Sequence, residues 1–344
     1  MYILGIESSC DETAVAVLKD GRHVLSSKIA SQLSHNRFGG VIPEIAAREH
    51  LESIFPLYEA ALSEAGIKSQ KIDLISVTQG PGLIGALLVG TSFAKGLAFS
   101  LKKPLIPVNH VHAHIHGSFL GLKDFDPKAL FPCLALVVSG GHTHLYLMET
   151  VVEFRLLASS IDDACGECFD KVAKLLNLGY PGGPKIEALA RKGHPEKISM
   201  PRMMDQRDRM EFSYSGLKTH VRYLLEKEKD SLSDQKVQDI CFAFQKEAFD
   251  QIFRKLETAL SSFPNTRSIL VSGGVAANLY FREKMREKFK VSSHFPELKY
   301  CSDNAAMIAA LGYQIYEHTE DKQKFFDYKW ETFSRYEDVS SHHD

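Results

Sequence analysis

CLALVVSGGHTHLYLME, residues 133–149, decides the fold, because it repeats the grammar of YILGIESSCDETAVAVL at residues 2–18. Each stretch reads as an apolar strand, a bend of Ser, Gly or acidic residues, and a second apolar strand. Each then leads into a third strand, HVLSSKIA (23–30) in the first copy and EFRLLAS (153–159) in the second. In the first copy, a helical period in EIAAREHLESIFPLYEAALSEAG (44–66) is followed by strand IDLISVT (72–78), turn GPG, helix LIGALLVGTSFAKGLAFS (83–100) and strand LIPVNH (105–110). In the second, helices are expected at about 163–177, 183–193 and 233–262. Strand SILVSG, helix VAANLYFREKMREKF, strand LKYCS (298–302) and helix NAAMIAALGYQIYEH complete it.

Two tandem βββαβαβ-like halves resemble the layout of the actin, sugar-kinase and Hsp70 superfamily. The expected class is therefore α/β, with two duplicated actin-like (ASKHA, RNase H-like) lobes and the active site in the cleft between them. Residues 1–125 would form the N-terminal lobe, completed by a C-terminal helix at about 303–325, and residues 126–302 the C-terminal lobe. Residues 326–344 would form a partly ordered tail, with Phe325, Phe326, Tyr328, Trp330 and Phe333 docking this end of the chain and SSHHD fraying.

A length of 344 residues suits two domains at roughly 150 residues each. With 44% hydrophobic and 24% charged residues, the composition is that of a globular protein and excludes wholesale disorder. The net charge of −2 gives the whole molecule no basic footprint for nucleic acid. Six scattered cysteines do not make a disulfide scaffold, and the N-terminus reads as a strand rather than a signal peptide, so a reducing, cytoplasmic location is expected. Residues 74–94 carry no charge, but Gln79, Gly80, Pro81, Gly82, Gly85 and Gly90 interrupt them, which argues against a membrane span.

Fifteen histidines against one tryptophan call for an explanation. Four lie in NHVHAHIHG. If the segment opens a helix, His110 and His114 share one face, as two ligands of one metal must, and His112 with His116 form a second pair. In a strand all four would lie on one side, and four merely satisfied polar residues remain the plain alternative. Val111 follows His110, so the His-Glu-x-x-His of a metalloprotease lacks its base. Asp303 in CSDNAAM is placed either to cap a helix or to add an oxygen ligand.

Three bends follow apolar strands: SSCDE (8–12), SGGHT (139–143) and SGGVAAN (272–278). Such bends aim backbone N–H groups at an anion and point to a phosphate-bearing ligand. GPGLIG (80–85) matches a dinucleotide fingerprint but lacks the acidic residue further on, so it reads as a close-packed turn. Cys165 and Cys168 form a CxxC without a second ligand pair, which reads as coincidence. The basic stretches 191–222 and REKMREKFK read first as solvated faces, and second as contact strips for an RNA backbone.

Together GIESSCDET, GGVIPE (39–44), GPGLIGALLVG, HVHAH, LVVSGGHTHL, SIDDACGECFDKVAKLL, YPGGP (180–184), FSYSGLKT (212–219), VSGGVAAN and CSDNAAMIA resemble the bacterial TsaD, or Gcp, family, in order from residue 2 to about 313. The resemblance implies a tRNA N6-adenosine threonylcarbamoyltransferase. Such an enzyme moves the threonylcarbamoyl group from L-threonylcarbamoyladenylate to the adenosine 3′ of the anticodon in tRNAs reading ANN codons, and AMP leaves. Carried over by motif, the metal ligands are His110, His114 and Asp303, with Fe(2+) as the expected ion and Zn(2+) or Mg(2+) as alternatives. The substrate-binding positions are Val137, Val138, Ser139, Gly140, Gly141, Asp170, Gly183, Glu187 and Asn278. Asp11 and Glu12 are weak candidates to deprotonate the adenine amine. A TsaB-like paralogue and a TsaE-like ATPase are the implied partners. The rival classes are a metal-dependent glycoprotein endopeptidase and a nucleotide-driven actin-like ATPase switch.

Overall fold

A computed structural model describes residues 1–32, 35, 41–120, 126–206, 209–227 and 232–335. Down the chain run β1 (Tyr2–Glu7), β2 (Glu12–Lys19), β3 (His23–Ser31), α1 (Pro43–Ala65), β4 (Leu74–Gly80), α2 (Ile84–Leu101), β5 (Leu105–Asn109) and α3 (His110–Gly117). There follow α4 (Pro127–Leu130), β6 (Cys133–Val138), β7 (Thr143–Met148), β8 (Phe154–Ser160), α5 (Cys165–Leu175), α6 (Gly182–Ala190), β9 (Glu211–Phe212) and α7 (Ser215–Lys227). The last are α8 (Asp234–Ser262), β10 (Ser268–Ser272), α9 (Leu279–Lys288), β11 (Ser292–His294) and α10 (Ala305–His318).

Met1–Phe125 with Pro296–Asp344 form one compact unit, and Asp126–Phe295 the other. The sheet of the first unit has the order β3-β2-β1-β4-β5. β1 and β2, and β2 and β3, pair antiparallel, whereas β1, β4 and β5 run parallel. The second sheet, read from β8, runs β8-β7-β6-β10-β11 with the same directions, and β9 joins its edge beside β8. This is the duplicated α/β architecture that the two copies of the strand pattern announce.

Burial explains the apolar runs. Ile3, Leu4 and Ile6 of β1 are fully buried, because helices cover both faces of the sheet at this central strand. α10 lies against β1 so closely that a Cβ on Gly5 would stand 2.1 Å from the Ala305 carbonyl oxygen, and only glycine fits there. α2 is long and apolar enough to cross a membrane by length and composition alone. Here it packs on α1 and β4, and residues 74–94 divide into strand, turn and helix.

Two expectations change. LKYCS is not a strand: Leu298–Tyr300 form a 3-10 turn, and the parallel partner of β10 is the polar, partly exposed Ser292–His294. An edge strand with one neighbour needs little apolar character, so periodicity passes over it. The chain accordingly returns to the first unit at Pro296. Helix α7, within and after FSYSGLKT, is an additional element beyond the expected helices. Its start is held from a distance by Asp162, whose carboxylate accepts hydrogen bonds from Ser213 Oγ (2.5 Å), Tyr214 N (2.8 Å) and Ser215 Oγ (2.7 Å).

Partial burial opposes the Asp162 charge, but these hydrogen bonds outweigh it and hold the carboxyl below its usual range. Its contribution is thus complete at pH 6 and is lost as the pH falls through that lowered value. Asp162→Ala is expected to cost about 0.5–2 kcal/mol at pH 6, as loss of a helix cap does. Urea unfolding of both proteins at pH 6 and below pH 4 checks this, and the gap should shrink at the lower pH.

The tail docks on the first unit. Phe325 is buried, Tyr328 and Trp330 pack against the core around β1, β4 and α1, and Lys95 Nζ sits 4.2 Å over the Trp330 ring. Gln79 Nε2 donates to the Glu331 carbonyl at 2.7 Å. SSHHD, and Gly39 and Gly40 of GGVIPE, lie outside the described residues.

Candidate metal centre and anion-binding bends

β5 hands directly to α3 at Asn109, whose side-chain oxygen accepts from Val111 N (2.9 Å) and His112 N (3.1 Å) and so starts the helix at His110. The helical alternative therefore holds, and His110 and His114 share one face, with ring centroids 4.8 Å apart at 80°. α10 packs on α3 and carries the preceding turn with it, bringing in Asp303. Asp303 Oδ1 stands 3.1 Å from His114 Nε2 and 3.6 Å from His110 Nε2. Capping of α10 falls instead to Asn304, whose side chain accepts from Met307 N.

His114 Nε2 is buried and makes no hydrogen bond, although Asp303 Oδ1 lies 3.1 Å away. One potential donor atom from each of the three residues lies within 4.8 Å of the others. Two imidazole nitrogens and one carboxylate oxygen, with an orphaned nitrogen among them, fit a divalent transition metal with open positions. His112 and His116 are not in this group, and the His116 ring packs edge-on against Phe119.

The electrostatics point the same way. Burial alone would lower His110, but Glu7 and Asp303 more than offset it and raise it to about 9. A metal-free site at neutral pH therefore holds a proton where a cation is wanted, and binding releases it. Glu12, at the start of β2, is raised to about 9 by burial first and then by Asp303 and Asp11. As a base it would need a cation nearby to ionise at neutral pH. Asp11 offers its backbone oxygen to Gln32 N at 3.0 Å.

Sequence reading missed Glu7. It is fully buried, and His110 Nδ1 lies 3.0 Å from its Oε2. Burial disfavours its charge, yet His110 and the Ser9 side chain hold it below the usual carboxylate range. A signal was present: Glu7 is the one charge closing the otherwise apolar run ILGIE.

In the second unit β6 and β10 are parallel neighbours with Val137 opposite Ser272, so the bends after them lie side by side. Val137 and Val138 are fully buried strand residues that offer only backbone. Gly273 has φ +89°, and a Cβ there would stand 2.4 Å from the Val138 carbonyl oxygen. A Cβ on Gly140, Gly141, Gly183 or Gly274 would meet nothing within 4 Å. Backbone with open space beside it is what close approach of a ligand requires. Gly166 N, at the start of α5, donates to the Ser139 carbonyl at 3.1 Å and ties a helix N-terminus to the first bend.

The remaining positions already hold structure. Asp170 accepts from Gly182 N at 2.7 Å and caps α6, with burial raising its pKa. Glu187 accepts from Leu279 N at 2.9 Å, and Asn278 accepts from Phe281 N while donating to Gln245 Oε1 at 2.9 Å. Glu187 and Asn278 thus meet at the start of α9. The metal trio lies in the first unit and all nine substrate positions in the second.

The secondary motifs resolve simply. Gly82 presses on Ser9, whose carbonyl accepts from Leu83 N at 2.8 Å, so GPGLIG is a packing turn. Cys165 and Cys168 are buried, and burial raises both thiols, Cys168 to about 12. In the stretch 191–222, Arg191, Arg202, Arg209, Lys218 and Arg222 pair with Glu187, Asp205, Glu211, Asp163 and Glu226, as on a solvated face.

A family model described as tRNA N6-adenosine threonylcarbamoyltransferase matches residues 23–310. A protein of that name from Thermosipho africanus is 47% identical over 322 residues, covering 92% of this chain and 95% of its own. Another, from Geotalea uraniireducens, is 48% identical over 316 residues, covering 91% and 90%. Among solved structures, HypF from T. kodakarensis superposes with a TM-score of 0.61 at 15% identity, covering 95% of this chain and 49% of its own. The (R)-2-hydroxyglutaryl-CoA dehydratase component A of Acidaminococcus fermentans gives 0.55 at 15%, covering 92% and 99%. These two likenesses concern the fold alone.

Proposed function

The chain belongs to the TsaD family of tRNA N6-adenosine threonylcarbamoyltransferases, and from that premise we propose how its residues serve the transfer. It is a transferase that places a threonylcarbamoyl group on N6 of a tRNA adenosine. The donor is L-threonylcarbamoyladenylate, the acceptors are tRNAs reading ANN codons, the leaving group is AMP, and the setting is cytoplasmic. The observation that carries the reading is near-end-to-end identity of 47–48% with relatives of that name.

His110, His114 and Asp303 hold one metal ion, Fe(2+) by preference, with Zn(2+) or Mg(2+) as alternatives; their donor set supports this. When bound, the ion supplies positive charge that polarises an oxygen of the donor and offsets charge developing on it. The amides of Gly140 and Gly141 and the neighbouring Gly273–Gly274 bend receive the anionic part of the adenylate, while the Ser139 amide closes the first bend on the His142 carbonyl at 2.8 Å. An adenine amine is a weak nucleophile, its lone pair being delocalised into the ring, so positioning supplies much of the rate. N6 bonds to the carbamoyl carbon, the bond from that carbon to the phosphate oxygen breaks, and the N6 proton passes to a base, for which Glu12 and Asp11 are the candidates. The test combines the protein, its partners, threonylcarbamoyladenylate and an ANN-reading tRNA, with nucleoside mass spectrometry as readout. Absence of the modified adenosine where a relative produces it overturns the reading.

The partners are a TsaB-like paralogue and a TsaE-like ATPase. Supporting a protein partner, α1 exposes Leu51 and Phe55 one turn apart, and α2 exposes Ile84 and Leu88 one turn apart as well as Phe99, 76% exposed. Leu88→Glu is expected to weaken association with the paralogue at least tenfold without shifting the melting temperature of the isolated chain. Calorimetric titration and a thermal melt check this, and unchanged affinity removes α2 from the interface.

A further inference from the structure

We infer that Glu7 is the positioning residue of the metal centre, fixing through its buried carboxylate the tautomer and the orientation of His110. Three elements converge on this one side chain. Its Oε1 accepts from Ser9 N at 2.5 Å in the first bend. Its Oε2 accepts from Thr78 Oγ1 at 2.5 Å on β4, and lies 3.0 Å from His110 Nδ1 on α3. Ser9 Oγ adds a contact to the same nitrogen at 3.2 Å.

The chemistry follows from what a carboxylate can do. An ionised carboxylate only accepts, so a neutral imidazole beside it must carry its proton on Nδ1. Nε2 is then left with its lone pair, and Nε2 is the nitrogen that faces Asp303. A carboxylate at the far nitrogen also raises the basicity of the ligating one. The plain alternative is a hydrogen-bonding hub that ties β1, β4 and α3 together. A buried ionised group is costly, and a neutral amide would tie three elements at lower expense. What the amide does not do here is impose the tautomer, because its single oxygen is claimed by the Ser9 N–H and its NH2 is left facing Nδ1. Its NH2, turned to Nδ1, would donate and shift the imidazole proton to Nε2, blocking the ligand position.

The role rests on the metal reading above, and the experiment separates the two. Wild type, Glu7→Gln, Glu7→Asp and Thr78→Val are titrated with Zn(2+) against a chromophoric chelator, and each is melted metal-free. Glu7→Gln is expected to bind zinc about 10 to 100-fold more weakly with a metal-free melting temperature close to wild type. Glu7→Asp, still an acceptor but shorter, should fall between them. Thr78→Val, which removes a hub bond but leaves the carboxylate beside His110, should bind within about threefold of wild type. Should Glu7→Gln fail to fold, the Glu7→Asp affinity decides. Equal zinc binding by wild type and the folded Glu7 variants overturns the positioning role alone. Wild-type protein that takes up no zinc or iron overturns the metal centre and this role with it.

Discussion

Asp303→Asn is expected to lose metal affinity by about 10²-fold or more, with tRNA modification falling by a comparable factor, since it removes the one anionic donor of a three-residue centre. The metal-free variant should melt close to wild type. Asp303 raises Glu12 and opposes the charge on Glu7 but also favours the protonated His110, so repulsion and attraction offset one another when no metal is bound. That separation of metal affinity from stability makes Asp303 the better probe. His110→Ala would strand the Glu7 carboxylate without its partner, and removing one half of a buried pair costs about 3–5 kcal/mol by itself. Isothermal titration of metal, a metal-free melt and nucleoside mass spectrometry are the three measurements. Undiminished modification by protein shown to lack metal would sink the assigned centre.

The second large effect is expected at the bends, where two neighbouring kinds of glycine should behave oppositely. Gly141→Val places a side chain into open space on backbone that any residue adopts, so the fold should hold. If the bend amides cradle the adenylate, the same side chain blocks its approach, and binding of the donor or of AMP should weaken by about 10²-fold, the equivalent of losing two or so hydrogen bonds to a charged group. Gly273→Val meets the Val138 carbonyl and a left-handed φ, so it should destabilise the second unit itself. Thermal melts and AMP titration of both variants check the contrast. Wild-type AMP affinity in Gly141→Val protein would mean that the ligand lies elsewhere.

Much of the fold was legible because strand and helix periods are local. Residues 133–149 repeat the strand pattern of residues 2–18, and both sheets have the order that this duplication requires. What escaped was weakly patterned. β11 is three polar residues at a sheet edge, and α7 is started by a carboxylate more than fifty residues before it in the chain, Asp162 to Ser215 being 53 apart. The candidate metal centre was half legible. The i, i+4 spacing of His110 and His114 becomes a shared face only if a helix begins at His110, and Asn109 decides that by capping it.

The sequence by itself determined the duplicated α/β architecture, the family, and the residue types available for a metal and an anion. Tertiary structure alone decided which of them meet. Asp303 reaches the histidines because α10 packs against α3 and β1, at a closeness that Gly5 permits. Glu7 reaches His110 across 103 residues because β1 and β5 flank β4 in one sheet. Ligation and hydrogen bonding act over about 2–3 Å, whereas sequence patterns report only which face a residue occupies. Donor atoms from opposite ends of a chain come into that range only once the core between them is packed.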